Sequence, residues 1–186
     1  MMPNTAVIDN FLPASLFEQL KDVFAPVSFN WFWNDNTGTD SNNVPLDDNF
    51  YFSHVLYGMK EGENSPLFKV FEPVVYFIDK HIPVAKIIKM KTKLYTNQNK
   101  RILYAKHIDV GKTATTKDKM FDNAAPNMTI TILNFTSCDG GTIVRDEEYV
   151  SKENQALMFS NEMPHCGITQ TNSKRRICLN VVTENK

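Results

Sequence analysis

Cysteine is scarce. Only Cys138, Cys166 and Cys178 occur in 186 residues, an odd number with no C-x-x-C spacing. That excludes a disulfide framework, and a reducing setting with free thiols is expected. Long apolar runs are missing too. None approaches the ~20 residues needed to span a bilayer, so no membrane partner is expected. Neither sign of charge dominates: 20 Lys and Arg stand against 21 Asp and Glu, for a formal net charge of -1. There is no global electrostatic pull on nucleic acid, which is not an expected partner. The opening residues, Met1-Met2-Pro3-Asn4-Thr5, lack the basic and apolar regions of a signal peptide. A cytoplasmic location follows as the expectation. The sequence holds no repeats or low-complexity tail, and it carries no signal for an oligomeric state.

What is present suits a folded chain. Hydrophobic residues make up 42% and charged residues 22%, the balance of a soluble globular protein. Thirteen Phe and two Trp favour a well-packed, β-rich core, and 186 residues suffice for a single domain. Leu16, Phe17, Leu20, Val23 and Phe24 repeat at helical spacing after Pro13, which suits a first helical turn. A second helix is predicted over 65–80, with Ser65 as N-cap, Pro66 at the first position and Leu67, Phe68, Phe71, Val74, Val75 and Ile78 buried. Trp31 and Trp33, at period-two spacing, read as a core edge ahead of a polar loop over 34–50. The run Phe50 to Tyr57 is strand-like. From Lys86 the period is two: Lys89, Lys91 and Lys93 alternate with apolar residues and are expected to face solvent. His54 and His81 have no acidic or histidine partner at metal spacing and read as structural.

The run Arg101-Ile102-Leu103-Tyr104-Ala105-Lys106 reads as a strand. If it continues, His107 and Asp109 share one face at its end. Residues 110–127 then form a long polar loop, placed like a lid. Short strands follow quickly: 128–135, 142–144 after Gly140-Gly141, 156–159, 163–167 and 176–182. His165 lies 58 residues past His107 (165 − 107), and Arg176 opens the last strand. Two imidazoles and a carboxylate on one face of a metal, with open positions opposite, are the mark of non-haem Fe(II) oxygenases.

This order resembles the double-stranded β-helix Fe(II)/2-oxoglutarate-dependent dioxygenases, above all the prolyl-4-hydroxylase-like branch. Tyr104-x-x-His107-x-Asp109 looks like its first metal motif. Leu133-Asn134 and Gly140-Gly141-Thr142 are similar to its spacer. Leu157-Met158-Phe159 through His165-Cys166-Gly167 looks like its second-histidine segment, and Arg176-Ile177-Cys178-Leu179-Asn180 like its closing strand. The match covers about residues 86–183. The stretch from Phe52 to Tyr95 also resembles small bacteriophage members, which would place the protein in the cytoplasm of the host cell.

The resemblance implies a mainly β fold: a double-stranded β-helix (jelly roll) core over 86–186, buttressed by helices and flanking strands over 1–85. It implies Fe(II) held by His107, Asp109 and His165, with 2-oxoglutarate and O2 as co-substrates. Arg176 would clamp the distal carboxylate of 2-oxoglutarate with its planar donor fork. Arg175 adjoins it and falls on the opposite face. Tyr95 would hydrogen-bond the co-substrate, and Asn180, on the face of Arg176, would line the same pocket. The implied activity is hydroxylation, coupled to decarboxylation of 2-oxoglutarate to succinate and CO2, of a prolyl or other peptide side chain or of a small molecule. Two other readings stand beside it: an inactive jelly-roll binding or virion-associated protein, and a cupin-like metal enzyme that uses no oxo-acid.

Overall fold

The computed structural model describes residues 5–26, 28–39, 44–111 and 121–186. Its elements are β1 (Thr5–Ile8), α1 (Ala14–Asp22), β2 (Phe32–Asn34), β3 (Tyr51–Gly58), β4 (Gly62–Glu63), α2 (Phe68–Phe71), α3 (Pro73–Asp79), β5 (Val84–Thr96), β6 (Met128–Asn134), β7 (Gly141–Val144), β8 (Glu147–Val150), β9 (Ala156–Ser160), β10 (His165–Ile168) and β11 (Arg175–Asn185). The strands form two antiparallel sheets, and no described helix is long and apolar enough to cross a membrane.

The major sheet runs β1-β9-β6-β11-β5-β3-β2, with β4 on the end of β3; the minor sheet runs β10-β7-β8. The long strands β11 and β5 lie at the centre of the major sheet, paired from Arg175↔Thr96 to Asn185↔Val84. The major sheet has two covered faces. On its outer face Leu56, Met90, Leu133, Met158 and Leu179 meet Phe17 and Leu20 of α1, Phe68 and Phe71 of α2, and Val74 and Ile78 of α3 in one buried cluster. Its inner face, across from the minor sheet, carries a second cluster that includes Tyr51, Tyr95, Ile130, Ile132, Phe159, Cys166 and Cys178. Alternation along β11 shows the division. Ile177, Leu179 and Val181 point to the helices, while Cys178 and Val182 point inward. This is the two-sheet architecture of a double-stranded β-helix. All three cysteines are buried and free.

Several expectations need adjusting. The helix predicted over 65–80 is two helices. Pro73 has no N–H to donate, and a new helix starts at it. Ser65 still closes the entry: its Oγ accepts the Leu67 N–H at 3.3 Å, and its carbonyl accepts the Phe68 N–H at 2.8 Å. The run 101–106 is extended but not a regular strand. It touches β10 only at Leu103↔Ile168 and His107↔His165. Strand β8, Glu-Glu-Tyr-Val, carried no apolar signal, and its charged face stays exposed. Trp31 packs on the helical core, but Trp33 is exposed and stacks on Phe50. Lys91 and Lys93 do not face solvent. Both are buried on the inner face, because the register sets them opposite Asn180 and Cys178 of β11. Residues 40–43 and 112–120, within the two predicted loops, lie outside the described residues.

Phe135 ties the outer cluster together. Its ring stacks on Phe17 at 5.5 Å and meets Phe24 and Phe71 edge-on at 5.0 and 6.3 Å. Phe135→Ala should lower folding stability by about 3–5 kcal/mol. Urea titration followed by circular dichroism measures this, and a loss below about 1 kcal/mol would show that the helical layer does not depend on this ring.

Candidate metal centre

Local chain geometry builds the centre from three places. The first is the extended segment 101–111 along the edge of β10. The Tyr104 N–H donates to Gly167 O at 3.0 Å, and His107 and His165 exchange backbone bonds, N–H to O, at 2.9 and 3.0 Å. The second is Asp47, whose Oδ2 accepts the Ala105 N–H at 2.7 Å. Its two oxygens also take the Thr37 N–H and hydroxyl, so Thr37 and Asp47 are fastened to the chain just before His107. The third is Asn161, fully buried after β9. Its amide accepts from Val110 N at 3.1 Å and donates to Val110 O and Ala125 O at 2.8 and 3.0 Å. Asn161 thus fixes the backbone next to Asp109.

His107, Asp109 and His165 converge, each offering a ligand atom within 4.8 Å of the others. The imidazole rings lie 4.6 Å apart, and Phe159 meets His165 edge-on at 4.9 Å. His107 Nδ1 contacts Ala105 O at 3.0 Å, and His165 Nδ1 contacts Met163 O at 3.1 Å. A carbonyl only accepts, so each Nδ1 carries a proton and Nε2 is the nitrogen left to face the triad. His165 Nε2 is buried without a hydrogen-bond partner, 3.5 Å from Asp109 Oδ2. The same Oδ2 accepts from Asn180 Nδ2 at 3.1 Å, and Lys89 Nζ is 3.6 Å from Oδ1. Two histidines and a carboxylate are a donor set that would hold a divalent metal, and the tied Nδ1 groups supply the outer support that metal-bound histidines ordinarily have.

Burial works against charge on Asp109, yet its carboxyl is held well below the usual carboxylate range, because Lys89, His165 and Lys93 surround it. The His107 imidazole is pushed down to about 3 by burial, with His165 and Lys93 adding to the effect. At neutral pH the two groups therefore stand as carboxylate and neutral imidazole, the forms that bind a cation. Burial, with like charge from Lys89 and Lys93, holds the Lys91 ammonium well below its ordinary value.

Arg176 is the largest fully buried side chain, while Arg175 is exposed on the other face. One Arg176 nitrogen donates to Thr142 Oγ1 at 3.1 Å; Nε and Nη1 have no partner. Its guanidinium lies 5.2 Å from the Tyr95 ring. Tyr95 and Tyr104 are both held protonated by burial, and the Tyr104 hydroxyl donates to Phe50 O at 2.6 Å. A narrow cleft lined by Tyr51, Lys93, Tyr95, Tyr104, His107 and Gly167 joins Tyr95 to the triad. Gly167 has a steric role there, since a Cβ would stand 3.2 Å from the Tyr95 hydroxyl oxygen. Of the residues singled out in the sequence, His107, Asp109 and His165 come together, Asn180 reaches Asp109, and Arg176 packs against the Tyr95 ring. Sequence reasoning missed Tyr51, Thr142, Asn161 and the three lysines. Thr142 and the period-two lysines were visible as residues; which face they occupy was not. His54 is buried but bonded to Asn30 O and Ser65 Oγ, remote from the triad in its contacts.

The His107 shift has a stability consequence. The unfolded chain takes up a proton near pH 6.5, while the folded chain resists it down to about 3. The contribution is therefore whole above pH 6.5 and is lost as pH falls through that window, at up to about 1.4 kcal/mol per pH unit. Metal-free protein should lose stability between pH 6.5 and 4.5, and His107→Gln should flatten that slope. Urea midpoints across the pH series measure it, and equal slopes in both proteins would contradict the assignment.

No family model matches the chain, and no curated protein matches it in sequence. Solved structures do. An oxidoreductase of the 2OG-Fe(II) oxygenase family from Burkholderia pseudomallei aligns with a TM-score of 0.66 at 9% identity, covering 98% of this chain and 86% of that one. A Pseudomonas putida prolyl-4-hydroxylase aligns at 0.60 and 11% identity, covering 98% and 93%. A viral collagen prolyl hydroxylase from Paramecium bursaria Chlorella virus-1, in complex with 2OG, aligns at 0.55 and 14% identity, covering 98% and 97%. The chain has the double-stranded β-helix fold of the 2-oxoglutarate/Fe(II) oxygenases and prolyl hydroxylases.

Proposed function

We propose that this protein is an Fe(II)- and 2-oxoglutarate-dependent dioxygenase acting as a hydroxylase on a peptide or a small molecule. The observation that carries the reading is a combination of buried groups on the inner face of the major sheet. A triad of two Nε2-presenting histidines and a carboxylate shares the interior with a buried Arg176 that keeps two donors free. The fold it shares with oxygenases, one of them solved with 2OG, supports it. The three free thiols suit a reducing, cytoplasmic setting.

His107, Asp109 and His165 would hold Fe(II) on one face. Bound Fe(II), with 2-oxoglutarate and O2, supplies the oxidation: the oxo-acid leaves as succinate and CO2, and one oxygen atom enters a substrate C–H bond. The chain supplies position and environment. Arg176 receives the distal carboxylate of 2-oxoglutarate through donors its guanidinium leaves unpaired, with Thr142 fixing Nη2. Tyr95, protonated, stands beside that fork as a donor. Asn180 orients Asp109 through a hydrogen bond, and its unpaired Oδ1 faces the same interior. Asn161 and Asp47 hold the backbone on either side of the H-x-D motif. The apolar wall of Ile130, Ile132, Leu157 and Phe159 keeps water from the inner face.

Anaerobic titration with Fe(II) and 2-oxoglutarate should give a visible metal-to-ligand charge-transfer band that needs both components and is absent in His107→Ala. Arg176→Met should raise the apparent KM for 2-oxoglutarate by about 10–100-fold, the worth of a charge-assisted bond pair, and Arg176→Lys should recover only part of it. A folded protein that shows no band would end the oxygenase reading.

A further inference from the structure

Four basic side chains share the interior with one carboxylate ligand. Lys89, Lys91 and Lys93 follow one another on the inner face of β5. Lys91 and Lys93 are 9% and 6% exposed, and Arg176 is 1% exposed. Among the described residues the one ion pair made by any of them is Lys89 with Asp109 at 3.6 Å. Lys91 and Lys93 have instead the Tyr51 ring, 5.7 and 5.8 Å from their ammonium nitrogens. Buried lysines are almost always paired, and an apolar side chain of the same length would make a more stable wall. A row of them held at a cost to stability is a binding feature.

One 2-oxoglutarate does not account for the row. On the central strand pair, Arg176 stands opposite Tyr95 and Asn180 opposite Lys91. The two positions are four residues apart, ~13 Å along the strands. Asn180 donates to Asp109, so Lys91 is level with the carboxylate ligand, and Lys89 lies one step beyond, touching it. Lys93 lies between, in the cleft with Tyr95 and His107. The basic groups thus divide into two ends. Arg176 stands at one end beside Tyr95, Lys89 and Lys91 stand at the other, level with Asp109 in the strand register, and Lys93 lies between them, facing the Tyr51 ring as Lys91 does.

We propose that the primary substrate is an acid, carrying a carboxylate or phosphate group that seats against Lys89 and Lys91 on the Asp109 side of the cavity. The proposal rests on the oxygenase reading, in which 2-oxoglutarate occupies the Arg176 end. Specificity follows from charge: an anion seated there gives Lys91 the ion-pair partner it lacks among the described residues and favours its charged form, which neutral and basic analogues do not do.

The test measures binding without turnover. Metal-free protein is titrated calorimetrically with inorganic phosphate and with acetate, for wild type, Lys89→Met, Lys91→Met and Arg176→Met; the stronger of the two probes indicates which oxyanion the seat favours. Methionine keeps the length of the stem and removes the charge. At least one probe should bind wild type and Arg176→Met alike and bind each lysine variant about tenfold or more weakly. The unfolding temperature of ligand-free Lys91→Met should equal or exceed that of wild type. 2-Oxoglutarate affinity of the Mn(II)-loaded protein should stay within about twofold in Lys91→Met and collapse in Arg176→Met. Oxyanion binding unchanged in the lysine variants would overturn the proposal. So would loss of 2-oxoglutarate affinity in Lys91→Met, which would give the lysines to the co-substrate, or a lowered unfolding temperature, which would give them a structural role. If 2-oxoglutarate failed to bind wild type while oxyanion binding still depended on the lysines, the oxygenase reading would fall and the anion seat would stand.

Discussion

The backbone exchange between His107 and His165 is the constraint from which the centre follows. Two residues far apart in the chain donate to and accept from each other at 2.9 and 3.0 Å. An antiparallel bridge of this kind sets two side chains directly opposite on one face, so the rings have little choice of position. Each ring is then turned by its own Nδ1 bond to the carbonyl two residues back. Only Asp109 needs further guidance, and it comes from Asn180 on the central strand and from Asn161 beyond β9. The site is therefore a product of register. A slip of one residue between segment 101–111 and β10 would turn one imidazole to the opposite face.

The major sheet separates stability from chemistry. Its outer face buries a continuous apolar layer under three short helices, with Phe71, Val74, Ile78 and Leu179 fully enclosed. That layer holds the sheet whatever the inner face carries. The inner face is then free to hold groups that a core would reject, among them Arg176 with two unmatched donors and lysines with no carboxylate partner. Each such group is unfavourable by itself and is tolerated because the opposite face of the same strands supplies the surplus.

Much of this was legible in the sequence. The H-x-D spacing, the distant histidine and the arginine opening the last strand are local signals; period-two alternation put Arg175 and Arg176 on opposite faces, and the resemblance of the closing strand chose Arg176 for the inside. The helix over 14–22 was legible because its apolar stripe is complete. What alternation does not reveal is which face of a strand is covered. Lys89, Lys91 and Lys93 were assigned to solvent because lysine normally is. In a strand enclosed on both sides that rule loses its force, and the inner face is polar for reasons of ligand chemistry. The break at Pro73 was missed because the apolar stripe runs on past the proline, about two turns into the predicted helix, without losing its period. The 101–106 run was read as a strand from its composition, yet it makes only isolated bridges. Its neighbours Asp47 and Thr169 supply hydrogen bonds that a sheet partner would otherwise provide.

Asn161 has a consequence for how such a chain can change over evolution. It binds Val110 and Ala125 together, and the Ala125 N–H also donates to Val110 O at 2.9 Å, beside the Gly111↔Ala124 bridge. The two ends of the intervening segment are thus stapled at a closed stem. Loop length enters folding free energy only logarithmically once a stem is closed. Segments of different size and composition can then be grafted between Gly111 and Ala124 while Asp109 keeps its place, so this part of the sequence is free to diverge around an unchanged scaffold.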